Sequence, residues 1–507
     1  MLRKKRLRMN NRVSSSVEYH WATAHVRNRI RPHSLDFGHY PKPFKTYGAL
    51  KRIPLIKGEI SPGRDLMGLF RGEEPAESEQ RLGFPALSRV LYRSYGVTRE
   101  EKARGIRFFS RTVPSAGGLY PCQIYLMSRH MEGLETGVYY CHMIQESLDL
   151  IHRDGFSLGR DQTFDLSFVV TGIFFNSAWK YRERAFRYLL LDSGHLVENL
   201  NLALRAEGLS PRVDDDFEDD RISALLALDQ DKEVPLAWVH VNGKASGPEE
   251  KCQPASDSSE PCLKAIEDES VAVSYPLLRQ IHELGKDRIG TRPHDAESAG
   301  VLAFEPEDRR VSLDFEALNP PLDYERAVLS RRSKRNFFPA RLDRKKAVLL
   351  LESASSLYKG QPEDSARAFP FLALGVLFQN VEGFDDGFYI VSGEGGSLRF
   401  IREGPFHEPL ARVCLDQQWI SRAAVNFLFM ANLTGLENAL GPRGYRLLLM
   451  DAGRMAQRIY LAATGLSLGC CGVGALYDEE ARTLLDLNPD SALFYAVSAG
   501  PVKGSGF

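Results

Sequence analysis

Apolar residues recur at helical spacing along three stretches of the chain. The first begins at Phe84 and is stopped by Gly96, and its apolar positions lie three and four residues apart. The second runs from Arg184 to Glu207 and meets Gly208 at the place where a glycine commonly ends a helix. A shorter stretch covers residues 220–226. The pattern predicts three helices, the second of them long and largely buried.

Other stretches have the length and pattern of β-strands. Residues 123–127 alternate, and residues 137–140 follow them after a polar turn, so the two are predicted to pair. Residues 166–173 form a continuous apolar run, which favours a strand in the interior of a sheet. Residues 236–241 predict a last strand that closes this part of the chain. Helices and strands are therefore mixed, as in an α+β fold.

Two segments lack a clear period. Residues 1–80 are polar and interrupted by prolines, and we interpret them as an extension that wraps the first domain. Residues 244–275 are rich in Ser, Pro and acidic residues, and such a composition buries too little surface to offset the ordering entropy. This segment is predicted to be a linker, with residues 276–320 as a loosely packed continuation.

The second half of the chain repeats the first. The sequence Arg-Tyr-Leu-Leu-Leu-Asp-Ser-Gly at 187–194 returns as Arg-Leu-Leu-Leu-Met-Asp-Ala-Gly at 446–453. Chance supplies one such match easily, but four in the same order indicate an internal duplication. The three further sequence matches pair residues 202–203 with 461–462, 225–226 with 484–485, and 236–243 with 492–500.

Composition narrows the class of protein. The 507 residues suffice for two to four domains, and a net charge of −1 gives no global electrostatic reason to bind nucleic acid or a membrane. The seven cysteines have no metal-ligand spacing, and their odd number predicts reduced thiols in a cytoplasmic compartment. The basic residues 1–9 precede no apolar segment, so we expect a solvated end, no secretory signal and no membrane span.

A turn of small residues is the first candidate for chemistry. Pro114 fixes one backbone dihedral, and Gly117 and Gly118 remove two side chains in succession, so a flat ligand can approach the backbone. Ser115 adds a hydroxyl that donates or accepts, and Ala116 keeps the turn small. An ordinary tight loop accounts for these residues about as well.

Cations and glycines mark two further candidates. Four cations fall within residues 331–335, which favours a nearby anion, and arginine suits phosphate because its fork donates two hydrogen bonds. The other reading is a solvated basic helix start. The Gly-Cys-Cys-Gly-Val-Gly sequence at 469–474 can aim backbone N–H groups at a ligand, although a plain turn explains it equally well. Its vicinal cysteines are more typical of small loop residues than of a redox disulfide.

Lys180 and Tyr181 stand just before the long helix. They fit a polar helix start, with the lysine exposed and the tyrosine half buried. They also fit proton transfer, because a lysine with a lowered pKa beside a tyrosine can act as a general base. The corresponding residues of the second half are Ala439 and Leu440, so only one copy has the pair.

Several of these motifs resemble those of a known family. Pro-Ser-Ala-Gly-Gly-Leu-Tyr-Pro at 114–121 is similar to a signature of the nitroreductase-like flavoproteins, in their SagB/ThcOx branch of peptide azoline oxidases, and Arg-Arg-Ser-x-Arg at 331–335 resembles a motif of the same superfamily. The resemblance covers roughly residues 84–243 and 325–504. It implies an α+β fold with two tandem nitroreductase-like domains that form a pseudo-dimer within one chain. The implied divisions are an extension at 1–83, a domain at 84–243, a linker at 244–322 and a domain at 323–507.

The resemblance also implies roles for residues around FMN. In such dimers the arginine motif of one subunit and the Pro-Ser loop of the other meet at one flavin. The second half offers only the sequence from Arg367 to Gly375 where its own loop should fall, so one FMN per chain is expected. The implied contacts are the phosphate and pyrimidine edge for Arg331, Ser333 and Arg335, an outward position for Arg332, the flavin ring for Pro114, Ser115, Ala116, Gly117 and Gly118, the N5 edge for Gly472, Val473 and Gly474, and the phosphate for Lys503.

By the same resemblance, Lys180 and Tyr181 form the catalytic pair. The implied reaction is dehydrogenation of a thiazoline or oxazoline ring in a small-molecule or peptide-derived substrate, with oxygen as the final acceptor and no metal. Two alternatives remain open: an NAD(P)H-dependent nitro- or quinone-type reductase, and a flavin- or peptide-binding scaffold without turnover. Two departures from the family pattern matter. No leader-peptide-binding module is recognisable, and Gln123 occupies a position where many relatives have an acidic residue.

Overall fold

A computed structural model describes most of the chain. The described residues are 12–30, 33–56, 63–73, 82–103, 105–129, 131, 133–153, 166–241, 262–266, 275–289, 300–315, 321–357, 368–392 and 396–504. The predicted basic tip at 1–9, Arg367 and most of the predicted linker at 244–275 lie outside these residues.

The first half is built around one seven-stranded antiparallel sheet, in the order β1-β6-β5-β4-β7-β9-β8, and a separate two-stranded hairpin, β2–β3. The elements are α1 (Ser16–Ala22), β1 (Lys51–Pro54), α2 (Leu66–Arg71), α3 (Phe84–Tyr95), β2 (Val97–Ala103), β3 (Ile106–Arg111), β4 (Cys122–Ser128), β5 (Gly137–His142), β6 (Ser147–Arg153), β7 (Leu166–Ile173), α4 (Phe174–Tyr181), α5 (Ala185–Ala206), β8 (Pro211–Asp214), α6 (Asp219–Leu225) and β9 (Glu233–Val241).

The second half repeats this architecture in an equivalent sheet, in the order β10-β13-β12-β11-β14-β16-β15. Its elements are α7 (Pro276–Leu284), β10 (Arg310–Ser312), α8 (Tyr324–Ser330), α9 (Arg344–Ser355), β11 (Ala373–Phe378), β12 (Gly387–Val391), β13 (Ser397–Glu403), α10 (His407–Val413), β14 (Val425–Asn432), α11 (Leu433–Leu440), α12 (Arg443–Gly465), β15 (Gly469–Val473), α13 (Asp478–Leu484) and β16 (Ser491–Gly500). The tandem α+β arrangement expected from the sequence is therefore present, and the two sheets have the same topology.

The periodic stretches of the sequence form the elements that they predicted. The helices at 84–95 and 185–206 are α3 and α5, with Gly208 in the left-handed region after α5, and the apolar run at 166–173 is the interior strand β7. Strands β4 and β5 pair as expected. The strand β8 was missed because it has only four residues, and it lies beyond β9, so β9 does not close the sheet.

The two segments without a clear period contain repeated elements. The expectation of loose packing is wrong for α7, where Leu278 and Ile281 are buried, and β10 is an edge strand of the second sheet. In chain order α7, β10 and α8 correspond to α1, β1 and α2 of the N-terminal segment. Asp65 caps α2 and Asp323 caps α8, and the backbones of these two residues pair in an isolated antiparallel β-bridge. The structural repeat thus begins upstream of residues 84 and 323 in the two halves, and the proposed domain boundaries stay a prediction.

The two halves meet along α5 and α12, which are buried over nearly their whole length. The helices approach closest at Gly194 and Gly453, the glycines of the repeated motif. A Cβ on Gly194 would lie 2.0 Å from the carbonyl oxygen of Met450, and one on Gly453 would lie 2.3 Å from that of Leu191. Because both neighbours are backbone atoms, no side chain can be added here without separating the helices.

Buried ion pairs connect the N-terminal segment and the first half to the second half. Asp478 accepts hydrogen bonds from Arg184 at 2.8 Å and Arg187 at 2.7 Å, and His20 of α1 lies 3.6 Å from the same carboxylate. Burial opposes the ionisation of Asp478, but the two arginines outweigh it and hold its pKa well below the usual range. A buried charge is tolerated when it is paired in this way.

The same cluster recurs at the equivalent place on the other side. Asp219 accepts from Arg446 at 2.6 Å and Arg443 at 3.2 Å, with His282 of α7 at 3.7 Å. The repetition down to single side chains indicates that α1 and α7 are parts of the duplicated unit.

No helix among the described residues is both long enough and apolar enough to cross a bilayer.

The glycine contact gives a stability prediction. We expect Gly453→Ala to lower the free energy of unfolding by about 2 kcal/mol or more, because its methyl group forces two helix backbones apart. Gly465→Ala is the matched control. Gly465 also lies in α12, but a Cβ placed on it would have its nearest neighbour 3.4 Å away, on the Leu322 side chain. Urea unfolding of both variants checks this, and equal stabilities would contradict a tight backbone contact.

Candidate active site

One cavity lies between the two halves, beside the junction of α5 and α12. It encloses about 680 Å³ of space when the solvent at its open mouth is included. Both halves contribute to its wall: Pro114, Ser115, Ala116, Gly117, Tyr181, Tyr188, Leu191, Asp192 and His195 from the first, and Ser333, Arg335, Gln417, Tyr460, Cys471, Gly472, Val473, Gly474, Ala475 and Tyr495 from the second.

The small-residue turn is pinned to α5 by a buried carboxylate. Ser115 donates its hydroxyl hydrogen to Asp192 at 2.5 Å and accepts from the Tyr120 N–H at 2.9 Å, while the Ala116 N–H also points to Asp192. Gly117 and Gly118 have φ values of 65° and 68°, which non-glycine residues rarely adopt. The hydroxyl of Ser115 is therefore committed to the loop itself, and the sequence did not indicate this.

Asp192 is the carboxylic acid of the cavity wall. Burial raises its pKa to about 7, although the hydrogen bonds from Ser115 and Ala116 favour the ionised form. Its counterpart in the second half is Asp451, whose pKa burial also raises. Asp192 belongs to the repeated motif, but its role in holding the turn depends on a contact that spans 77 residues.

Lys180 and Tyr181 lie against the turn. A Cβ placed on Gly117 would be 2.9 Å from the hydroxyl of Tyr181 and 3.3 Å from Nζ of Lys180, so only glycine leaves room for both side chains. Burial, followed by the positive charge of Arg335, lowers the pKa of Lys180. Burial raises the pKa of Tyr181, which therefore keeps its proton. An amine with a lowered pKa and a phenol that keeps its hydrogen thus lie together against the turn.

The basic segment divides into residues that face the cavity and residues that do not. Ser333 and Arg335 line it, whereas Arg331 is buried and donates to the backbone carbonyls of Arg111, Thr112 and Val113, just before the turn. Arg331 thereby fastens the loop of the first half to the second half. Its Nη1 atom is buried without a hydrogen-bond partner in the described part of the chain.

Two other predicted residues lie off the cavity wall. Arg332 donates to the carbonyls of Leu329 and Arg331 and is half buried, so it does not turn fully outward. Lys503 is exposed and lies over the ring of Phe338. Its N–H donates to the carbonyl of Asn336, and its own carbonyl accepts from Nδ2 of Asn336. The structure does not bring either residue to the lining.

The glycine-rich segment is the edge strand β15, not a free loop. Its Gly472 N–H donates to the hydroxyl of Tyr460 at 2.6 Å, and that hydroxyl lies 3.1 Å from Oγ of Ser333. Cys470 and Cys471 are buried thiols of the strand, consistent with the structural reading. Tyr460 therefore links the basic segment to the strand and fixes the wall between them.

Several wall residues had no sequence signal of their own. Asp192 and His195 stand in the long helix, where a buried polar residue is indistinguishable from a solvated one by periodicity. Comparing the two copies would have helped, because His195 aligns with Arg454, and such differences mark where the halves have diverged. The other wall residues missed by the sequence are Tyr188, Leu191, Gln417, Tyr460, Cys471, Ala475 and Tyr495.

Comparisons with known proteins agree with this geometry. Residues 89–244 and 395–500 match the model of the Nitroreductase family. A relative from Methanocaldococcus jannaschii, named "Putative nitroreductase", is 32% identical over 169 residues, which are 32% of this chain and 84% of the relative. A crystal structure titled as a "putative nitroreductase" from Anabaena variabilis has a TM-score of 0.76 and 25% identity, and the match covers 97% of this chain and 100% of that one.

A peptide-processing protein is also similar. The microcin B17-processing protein McbC of Escherichia coli is 29% identical over 143 residues, and the match spans 25% of this chain and 52% of McbC. The chain thus covers about half the length of this relative.

The state of Asp192 gives a prediction for stability against pH. Its pKa is about 7 in the folded protein against an ordinary value of 3.8, so the unfolded chain loses this proton first and folded stability falls as the pH rises between these values. Asp192→Asn does not titrate. We therefore expect its free energy of unfolding, relative to that of the wild type, to rise by up to about 4 kcal/mol as the pH increases from about 4 to about 8. Urea unfolding of both proteins across this range measures the difference, and a difference that does not change with pH would contradict the prediction.

Proposed function

The chain belongs to the nitroreductase family, and from this premise we propose that its cavity between the two halves binds one FMN and that the protein is an FMN-dependent dehydrogenase. The observation that carries the proposal is the composite wall. Residues 114–117 and Tyr181 line it from one half, with Lys180 against the turn, while Ser333, Arg335 and residues 472–474 line it from the other.

The donors at one end of the cavity fit a phosphate. Arg335 and Ser333 line the cavity and offer a guanidinium and a hydroxyl, and charged hydrogen bonds from arginine suit a phosphate. Arg331 does not line the cavity, and its buried Nη1 lacks a partner among the described residues. Since three of the Arg331 donor contacts go to backbone carbonyls, its main part in this proposal is to hold the turn.

The turn and the strand fit the flat ring of a flavin. Gly118 has no heavy atom within 4 Å of the place where a Cβ would stand, so its backbone is open to a ligand. The turn is held rigidly by Asp192 on one side and by Arg331 on the other. A preformed surface of this kind lowers the ordering cost of binding.

The sequence segments that correspond to the basic segment and the glycines in the other copy lack these features, which supports one FMN per chain. Counted from the capping residues Asp65 and Asp323, the segment Arg-Arg-Ser-Lys-Arg at 331–335 corresponds in sequence to Glu-Glu-Pro-Ala-Glu at 73–77. Gly472–Gly474 corresponds to Val-Asp-Asp at 213–215. Acidic residues in place of cations and glycines would repel a phosphate.

The proposed reaction is removal of two hydrogens from a thiazoline- or oxazoline-type ring in a peptide-derived substrate. When bound, FMN supplies the two-electron acceptor that such a reaction needs. Lys180, whose pKa is lowered, takes the carbon-bound proton, and the Tyr181 hydroxyl, which keeps its own hydrogen, donates a hydrogen bond to the substrate. The similarity to a microcin-processing protein supports a peptide-derived substrate.

An NAD(P)H-dependent reductase of nitro or quinone compounds is the second candidate. It is favoured by the names of the relatives from Methanocaldococcus jannaschii and Anabaena variabilis. This activity needs the same cavity and cofactor but no base at Lys180, so the lysine separates the two candidates. A scaffold that binds FMN without turnover is the remaining alternative.

Cofactor binding is tested first. We expect denaturation of the FMN-loaded protein to release about one FMN per chain, and Arg335→Ala to weaken FMN binding roughly 10- to 100-fold, because charged hydrogen bonds contribute about 1.5–3 kcal/mol. Lys334→Ala is the matched control, since it removes a neighbouring cation that does not line the cavity. Isothermal titration with FMN measures both. A ratio near two would overturn the single site, and no binding would overturn the proposed cofactor.

The role of Lys180 is tested with a thiazoline-containing peptide under anaerobic conditions. We expect Lys180→Ala to slow bleaching of the FMN absorbance by this peptide about 100-fold or more, because a general base contributes roughly 10²–10⁴ in rate. FMN content and reduction by dithionite should stay unchanged. The substitution introduces the residue that α11 already has at Ala439, so the helix is expected to tolerate it. Unchanged bleaching by the peptide would exclude the proposed base, and reduction by NADPH alone would favour the reductase.

A further inference from the structure

A chain of buried hydrogen bonds runs from the backbone of α3 to the cavity. Asn199 donates through Nδ2 to the carbonyls of Arg93 at 2.9 Å and Ser94 at 3.2 Å. Oδ1 of Asn199 lies 2.8 Å from Nε2 of Gln457. The other amide atom of Gln457, Oε1, lies 3.0 Å from Nδ1 of His195. Nε2 of His195 lies 3.0 Å from the hydroxyl of Tyr495, which lines the cavity.

The direction of each hydrogen bond in this chain is fixed by its first member. Backbone carbonyls only accept, so the amide nitrogen of Asn199 must face them and its oxygen must face Gln457. That oxygen only accepts, so Gln457 turns its own nitrogen toward Asn199 and its oxygen toward His195. The nitrogen Nδ1 of His195 must then carry the hydrogen.

The second nitrogen of His195 is consequently an acceptor. Burial lowers the pKa of His195 to about 3, against the hydrogen bond to Gln457, so the ring is neutral and carries one hydrogen only. With that hydrogen on Nδ1, the bare Nε2 accepts from the hydroxyl of Tyr495. The only hydrogen of the phenol points into the protein, and the lone pairs of its oxygen remain for another partner.

We propose that Tyr495 forms a hydrogen-bond acceptor subsite in the cavity and selects a ligand group that carries an N–H or O–H hydrogen. Its oxygen lies beside the proposed FMN-binding strand, since a Cβ on Gly472 would be 2.0 Å from it. A ligand atom with only lone pairs would be repelled there, because the relay prevents the phenol from turning its hydrogen outward. His195, Gln457 and Asn199 are positioning residues, which act through Tyr495.

The equivalent positions on the other side contain no such relay. His195, Gln457 and Asn199 align with Arg454, Glu198 and Arg458, and there Glu198 accepts from Arg458 at 2.7 Å and from Arg454 at 3.2 Å. Of these two sets of aligned residues, only the one beside the cavity forms a neutral, directional relay.

The tautomer of His195 is the direct test, and it needs no ligand. The protein is labelled with ¹⁵N-histidine, and the His195 signal is assigned by its loss in His195→Gln. We expect long-range ¹H–¹⁵N spectra to show the hydrogen on Nδ1, a bare Nε2, and no protonation between about pH 6 and about pH 8. A hydrogen on Nε2 would overturn the inference, because Tyr495 would then accept from His195 and be free to donate into the cavity.

The subsite itself is tested with FMN as the probe, and in this respect the inference rests on the proposed function. We expect Tyr495→Phe to weaken FMN binding about three- to tenfold, as for loss of one hydrogen bond. Tyr389→Phe is the matched control, since that phenol donates to the carbonyl of Asp385 in the second sheet, away from the cavity wall. Equal affinities of wild type and Tyr495→Phe for FMN would overturn the subsite.

A further comparison identifies the donor on FMN, which has a ring N3–H and ribityl hydroxyls. With N3-methyl FMN, the effect of Tyr495→Phe should vanish if N3–H is the partner and persist if a ribityl hydroxyl is. If the wild type binds no FMN, the proposed function fails, whereas the His195 tautomer still decides the direction of the relay.

Discussion

The contact between the backbones of α5 and α12 at Gly194 and Gly453 is the constraint on which the rest of the molecule depends. Two helices that touch through glycines can come closer than side chains allow, and this position is shared by both copies of the repeat. Its contacts are reciprocal, Gly194 with Met450 and Gly453 with Leu191, so the two helices cross with an approximate twofold relation. The cavity lies beside this crossing because residues of both helices, such as Asp192 and Tyr460, reach into its wall.

Around this contact the two copies have kept their structural parts and diverged in their chemistry. The buried clusters at Asp478 and Asp219 are the same down to two arginines and a histidine, since breaking such a pair would leave an uncompensated buried charge. Cavity residues are under no such restriction. One side has Lys180 and Tyr181 where the other has Ala439 and Leu440, so duplication supplied the frame and divergence supplied the asymmetry.

The polar groups of the cavity are held in defined states by burial rather than by charge. His195 is kept neutral, Asp192 takes up a proton near neutral pH, and the pKa of Lys180 is lowered. Each of these shifts disfavours the charged form, as desolvation requires. Neutral groups in fixed orientations recognise a ligand by the direction of hydrogen bonds, and Arg335 of the basic segment provides the arginine of the cavity wall.

The sequence by itself determined the elements with a strong period, the duplication, and the location of the turn, the basic segment and Lys180, because these are local patterns of side-chain size, charge and spacing. It did not identify α1 and α7 as equivalent, since both are short and their burial comes from helices far along the chain. Only the tertiary structure assigned Arg331 to the backbone before the turn and Ser115 to Asp192. It alone also revealed the relay to Tyr495, because the direction of a hydrogen bond depends on what each partner does with its other atoms. Those partners come from opposite halves of the chain, and no local pattern records them.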